Sequence, residues 1–190
     1  MRKLAFGTGS SVSVDRCQTC GEKELASILF LGFLPPVNKM QKIGARPMEQ
    51  PSYPAQWLYC KKCHLVQLGL IVDPQILFPP EYPYTSGTTK VLRDNFAELY
   101  LESSKLLNLN KSDLIVDIGS NDGTLLGNFK GKHRVLGVTP ENVGKIAIKN
   151  GIETVIDYFS RDLAKKIAKD HGRATVVTAA NVFAHMENIH

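Results

Sequence analysis

The sequence predicts an α/β chain in two parts, a small cysteine-clipped domain over residues 15–79 and a helix-covered parallel sheet over residues 80–190. Three observations carry this. All four cysteines lie in the first third, as Cys17-x2-Cys20 and Cys60-x2-Cys63. Pro35, Pro36, Pro47, Pro51, Pro54, Pro74 and Pro79 punctuate the same stretch and exclude long helices from it. From about Thr88 the pattern changes, and short apolar runs alternate with helical periodicities.

Taken in order, residues 1–14 are rich in Gly, Ser and Thr and read as a flexible or extended lead-in. Within residues 15–79, the stretch 65–70 reads as a short, mostly apolar strand, and residues 79–87 form a stiff aromatic loop containing Tyr82 and Tyr84. Val91, Leu92, Phe96, Leu99, Tyr100, Leu106 and Leu107 recur at helical spacing. Strands are then expected at 114–118, 134–138, 153–156 and 174–179, and helices at 124–130, 141–150 and 160–170. Repeated βα units of this length give a parallel sheet, because parallel neighbours need a crossover connection.

The chain has 190 residues, 43% hydrophobic and 22% charged, which is globular composition and excludes disordered, collagen-like and membrane classes. Residues 28–34 are the longest apolar stretch, interrupted by Gly32, and the amino terminus lacks the apolar core of a secretory signal. A soluble, cytoplasmic protein without membrane partners is expected. The net charge of +5 is uneven: residues 1–63 hold nine Lys and Arg against four Asp and Glu, and the remainder is neutral. Four thiolates holding one Zn2+ add −2, so the basic excess of the first part falls to +3. That is a weak footprint for nucleic acid, and no aromatic–basic stripe accompanies it.

Two identical CxxC knuckles, 39 residues apart, have the spacing of a four-thiolate zinc site formed by Cys17, Cys20, Cys60 and Cys63. Two disulfides are the alternative reading, which a reducing compartment disfavours. Four thiolates close the coordination sphere, so the metal is expected to be structural. His64, beside Cys63, reads as a surface or supporting residue.

Residues 114–126 run apolar strand, acid, small-residue turn, helix: Leu-Ile-Val-Asp117-Ile-Gly119-Ser-Asn121-Asp122-Gly123-Thr-Leu-Leu. The spacing is D-x-G-x-x-x-G, not the G-x-G-x-x-G that lays a pyrophosphate on a helix N-terminus. An acid beside the turn repels phosphate and suits a ligand carrying an amino group and a sulfonium, which favours S-adenosylmethionine over NAD. An ordinary tight βα turn is the bland alternative.

The Asp117–Gly123 segment, the paired CxxC motifs, Leu34-Pro-Pro-Val-Asn38, the loop Glu81-Tyr82-Pro-Tyr84-Thr-Ser86-Gly87 and the ending Asn181-Val-Phe-Ala-His185 stand in an order that resembles the sugar C-methyltransferase family. The resemblance covers residues 15–190. It implies a zinc domain followed by a Rossmann-like class I S-adenosylmethionine-dependent methyltransferase domain, and a nucleotide-linked deoxy-keto-sugar as substrate. A base would remove the proton beside a ketone, and the resulting enolate carbon would attack the sulfonium methyl. Asp117, Gly119, Asn121 and Gly123 match the donor loop. Asp157 and Phe159 match the region of the adenine contact, and Asn181 lies at a strand's carboxyl end. His185 matches a histidine suited to proton handling. Tyr82 and Tyr84 are placed to cover the methyl donor or bind the oxyanion.

Two departures from the family pattern stand out. Thr139 occupies the position after the second strand where the family has an acid for the ribose hydroxyls, with Glu141 two residues on. The chain also stops after a fourth strand, giving the partial order 3-2-1-4. A truncated chain is therefore expected, inactive alone, completed by a missing carboxyl-terminal portion or a complementing chain, and able to self-associate through its open sheet edge. A non-catalytic zinc-stabilised assembly module is the alternative.

Overall fold

A computed structural model describes residues 11–38 and 40–190. Most of the lead-in expected over residues 1–14 lies outside the described residues. The chain divides into two compact units, Met1–Phe78 with His185–His190, and Pro79–Ala184.

The first unit is built on β1 (Val12–Ser13), β2 (Leu25–Leu34), β3 (Tyr53–Cys60), β4 (Val66–Leu68), β5 (Leu70–Ile71) and a single helical turn, α1 (Pro74–Leu77). β2, β3 and β4 form an antiparallel sheet in that order, and β1 pairs with β5. The strand expected at 65–70 is thus split at Gly69, where the chain changes partner. The Gly69 amide donates to Gln56 of β3, and its carbonyl accepts from Val14 after β1. Pro54 fits inside β3 because β4 pairs only with Trp57, Leu58 and Tyr59, so no donor is required of it on that side. Among the described residues, the buried apolar side chains of this unit are only Cys17, Leu58 and Cys60. So small a core does not hold a domain of this size by burial alone.

The second unit begins with α2 (Lys90–Leu107) and continues through β6 (Leu114–Ile118), α3 (Thr124–Phe129), β7 (Arg134–Thr139), α4 (Gly144–Lys149), β8 (Thr154–Ile156), α5 (Arg161–His171) and β9 (Val176–Thr178). The sheet is parallel, in the order β8-β7-β6-β9. β6 is buried along its whole length and feeds both faces. Ile115 joins Phe96, Leu125, Leu126, Phe129, Ala147 and Ile152 in one cluster. Leu114 and Val116 join Leu136, Val138 and Ile167 in the other. This alternation is the period-two geometry of a strand covered on both sides.

Helix α4 starts three residues later than its pattern predicts. Residues 141–143 form tight turns instead, with Gly144, Lys145 and Ile146 each donating three residues back. Ser160 caps α5 by accepting from the Leu163 amide at 3.2 Å. Among the described residues, no helix is long and apolar enough to cross a membrane.

Candidate metal centre and glycine-loop site

The two CxxC knuckles are folded alike. In the first, Gly21 donates to the Cys17 carbonyl at 2.9 Å and Cys17 donates to Glu22 at 2.7 Å. In the second, His64 donates to the Cys60 carbonyl at 2.8 Å and Cys60 donates to Leu65 at 2.9 Å. The residue four places after each leading cysteine adopts a positive φ, 73° at Gly21 and 63° at His64. His64 therefore sits where glycine is preferred, exposed, with Nδ1 2.5 Å from the Tyr59 hydroxyl and outside the sulfur cluster. Buried Gln67 ties the first knuckle to β4, accepting from the Gln18 amide at 3.0 Å and donating to the Arg16 carbonyl at 3.2 Å.

All four sulfurs lie within 4.8 Å of one another. The Cys17–Cys63 separation is 3.4 Å and the Cys20–Cys60 separation 3.6 Å. Disulfide sulfurs sit about 2.05 Å apart, so the pairing alternative does not describe this cluster. A tetrahedron with Zn–S bonds of about 2.3 Å has edges of about 3.8 Å, close to what the sulfurs span. The thiols also bias one another. For Cys17, burial raises the pKa, but the Cys20 and Thr19 amides and the neighbouring thiols outweigh it and bring the value to about 7. For Cys63, the Leu65 amide lowers the pKa, but Cys17, burial and the other thiols push it to about 12. Four thiolates this close need a cation between them, and the donor set fits zinc.

In the second unit, β6 ends in the glycine loop. Gly119 (φ 71°) and Ser120 both donate to the Val138 carbonyl, at 2.7 and 3.0 Å, which folds the loop back onto β7. A Cβ on Gly119 would stand 2.3 Å from Val182, and one on Gly123 (φ 79°) 2.8 Å from both Ala147 and Ile152. These two glycines are required by backbone conformation and by close packing.

Asp117 is buried in the middle of the sheet. Desolvation pushes its carboxyl up to about 7, against a hydrogen bond from the Thr178 hydroxyl at 2.7 Å. Asn121 does not point its amide at open space. Its Oδ1 accepts from the Ser86 amide at 2.9 Å and its Nδ2 donates to the Tyr84 carbonyl at 3.1 Å. Asp122 likewise accepts from the amides of Gly87 and Thr124 at 2.8 and 3.0 Å, and from the Thr124 hydroxyl. The acid read from sequence as a partner for a ligand's amino group is engaged by its own chain.

Thr139 is wholly buried and donates to the Glu141 carboxylate. Burial raises the Glu141 pKa, and the Thr139 bond partly offsets this. Tyr82 is half-buried, and its pKa is raised by burial and by the charges of Glu141 and Tyr84. Tyr82, Tyr84, Glu141, Asn121 and the Gly119–Gly123 turn therefore gather at the carboxyl ends of β6 and β7. Asp157 is exposed and accepts from the Tyr158 amide at 2.8 Å. Phe159 packs into the cluster around Val116 and Ile167. Asn181 is exposed with φ 57°. His185 belongs to the cysteine-bearing unit, its ring 5.6 Å from that of Phe78. Sequence reasoning assigned neither the Asn121 and Asp122 bonds to the aromatic loop nor the Thr139–Glu141 pair. Thr139-x-Glu141 was the only signal for the latter.

Residues 17–78 match a family described as "Putative zinc binding domain". The chain is also 27% identical over 179 residues to C-methyltransferase NovU of Streptomyces niveus, an alignment covering 93% of this chain and 42% of the relative. The chain thus spans less than half the length of the curated relative it matches. Both findings bear out the resemblance read from the motifs: residues 17–78 are similar to this zinc-binding domain, and the chain is similar, along nearly its whole length, to a C-methyltransferase.

Proposed function

We propose that the Pro79–Ala184 unit binds S-adenosylmethionine for C-methylation of a nucleotide-linked deoxy-keto-sugar, while the four-cysteine unit is a structural zinc module. The observation that carries this reading is the position of the Gly119–Gly123 turn. It lies at the carboxyl end of β6, whose neighbours are β7 on one side and β9 on the other. That is where the strand order reverses and where open α/β sheets take their ligands. The similarity to a C-methyltransferase supports methyl transfer as the chemistry.

In this reading the ribose hydroxyls meet Glu141, and Thr139 orients that carboxylate. This reconciles the missing acid at position 139 with the need for a two-point acceptor. Tyr82 or Tyr84 donates to the oxyanion of an enolate. This role rests on the resemblance of residues 81–87 to the family's segment. The partners are a nucleotide-sugar and the portion of polypeptide that completes the relative's length, with β9 as an edge open to pairing.

Calorimetric titration with S-adenosylhomocysteine tests the reading. One site per chain is expected, weakened at least about tenfold in Glu141→Ala, the worth of one charge-assisted hydrogen bond. Absence of binding at millimolar ligand by a folded, zinc-loaded chain would favour the assembly-module reading.

A further inference from the structure

We propose that Asn121 and Asp122 are positioning residues that latch residues 84–87 onto the glycine loop and so fix Tyr82 and Tyr84 as a wall of the donor site. The proposal rests on the donor-binding reading above, but its geometry is independent of any ligand.

Asn121 brackets an extended segment at two points, the Tyr84 carbonyl and the Ser86 amide, at 3.1 and 2.9 Å. Thr85 between them is extended, with φ −127° and ψ 118°, so the groups flanking it face the same way. Asp122 adds the Gly87 amide at 2.8 Å, and the Arg93 guanidinium holds the Gly87 carbonyl at 2.6 Å. A Cβ on Gly87 would lie 2.7 Å from both the Asp122 carboxylate and the Thr124 hydroxyl, so this approach needs glycine. Both latch side chains are buried, at 6% and 8% exposure, which makes their bonds harder for water to replace.

The same loop is tied at its other end. The Asn142 amide, just past β7, donates to the Pro80 carbonyl at 2.7 Å. Residues 80–87 therefore span from the turn after β7 to the turn after β6, anchored on each. Tyr82 lies between the anchors, near Glu141, and its place is set by both. The pair Asn121-Asp122 thus links the loop that turns the backbone to the loop that supplies the aromatic rings. This function requires an amide and a carboxylate at adjacent positions, with Asn121 in the left-handed conformation (φ 51°) that asparagine tolerates.

The test is amide hydrogen exchange on the full chain, with Asn121→Gly and Gly87→Ala. The glycine variant keeps the left-handed backbone and removes only the bracket. Exchange at Ser86 should accelerate about tenfold or more in Asn121→Gly, and at the position-87 amide in Gly87→Ala, with Ile115 and Val116 of β6 unchanged. S-adenosylhomocysteine affinity should fall at least about fivefold in both variants. Equal protection at Ser86 in Asn121→Gly and the unaltered chain would overturn the latch. Lost protection with unchanged affinity would overturn the positioning role. If the unaltered chain binds no S-adenosylhomocysteine, the donor reading fails, and the exchange data alone then decide the latch.

Discussion

Asp117 offers the sharpest quantitative prediction. Its carboxyl is buried in the central strand, and its pKa rises from 3.8 to about 7, because desolvation outweighs the Thr178 hydrogen bond. Below about pH 4 both folded and unfolded forms carry the proton, and the group costs no stability. Between about 4 and 7 the unfolded chain releases the proton while the folded one retains it, so stability falls as pH rises. At about 1.36 kcal/mol per pH unit the whole interval is worth about 4 kcal/mol, of which about 2–3 lies between pH 5 and 8. Asp117→Asn keeps the shape and an acceptor for Thr178 but does not titrate. Urea unfolding followed by circular dichroism at pH 5 and pH 8, for both proteins, isolates the contribution. The unaltered chain should lose about 2–3 kcal/mol relative to Asp117→Asn on going to pH 8. Equal pH dependence in the two proteins would refute the reasoning.

Metal removal should unfold the first unit selectively, because zinc–thiolate binding is worth about 10–16 kcal/mol and this unit has little apolar core. Trp57, the sole tryptophan, lies in β3 and reports it by fluorescence; a chelator that strips zinc without altering its emission would contradict the account. Elemental analysis should give about one zinc per chain, and none in Cys60→Ser. Gly123→Ala forces a left-handed alanine against Ala147 and Ile152 and should cost about 2–4 kcal/mol in urea unfolding. His64→Gly relieves a positive φ while losing the Tyr59 contact, so the melting temperature should stay level or rise, whereas His64→Val should lower it.

The second unit was largely legible because its signals are local. Short apolar runs at 114–118 and 134–138 and the helical spacing of Leu92, Phe96 and Tyr100 place the elements, and the order 3-2-1-4 implied by the family resemblance is the observed β8-β7-β6-β9. Paired cysteines were legible because x2 spacing suits one ion. What escaped was long-range. The ten-residue strand β2 was hidden in a run read only as apolar, since its partner β3 lies beyond a proline-rich stretch. The bonds of Asn121 and Asp122 to residues 84–87 escaped because those partners lie 35 to 37 residues away. Thr139 read as a lost acid, and only the fold shows its hydroxyl directed at Glu141.

Chemical-shift mapping with S-adenosylhomocysteine tests the central claim most directly. Perturbations are expected to concentrate at Gly119, Ser120, Asn121, Glu141 and Tyr82, with the amides of Cys17, Cys20, Cys60 and Cys63 unmoved. Shifts confined to the cysteine unit, or none at saturating ligand in the folded protein, would contradict it.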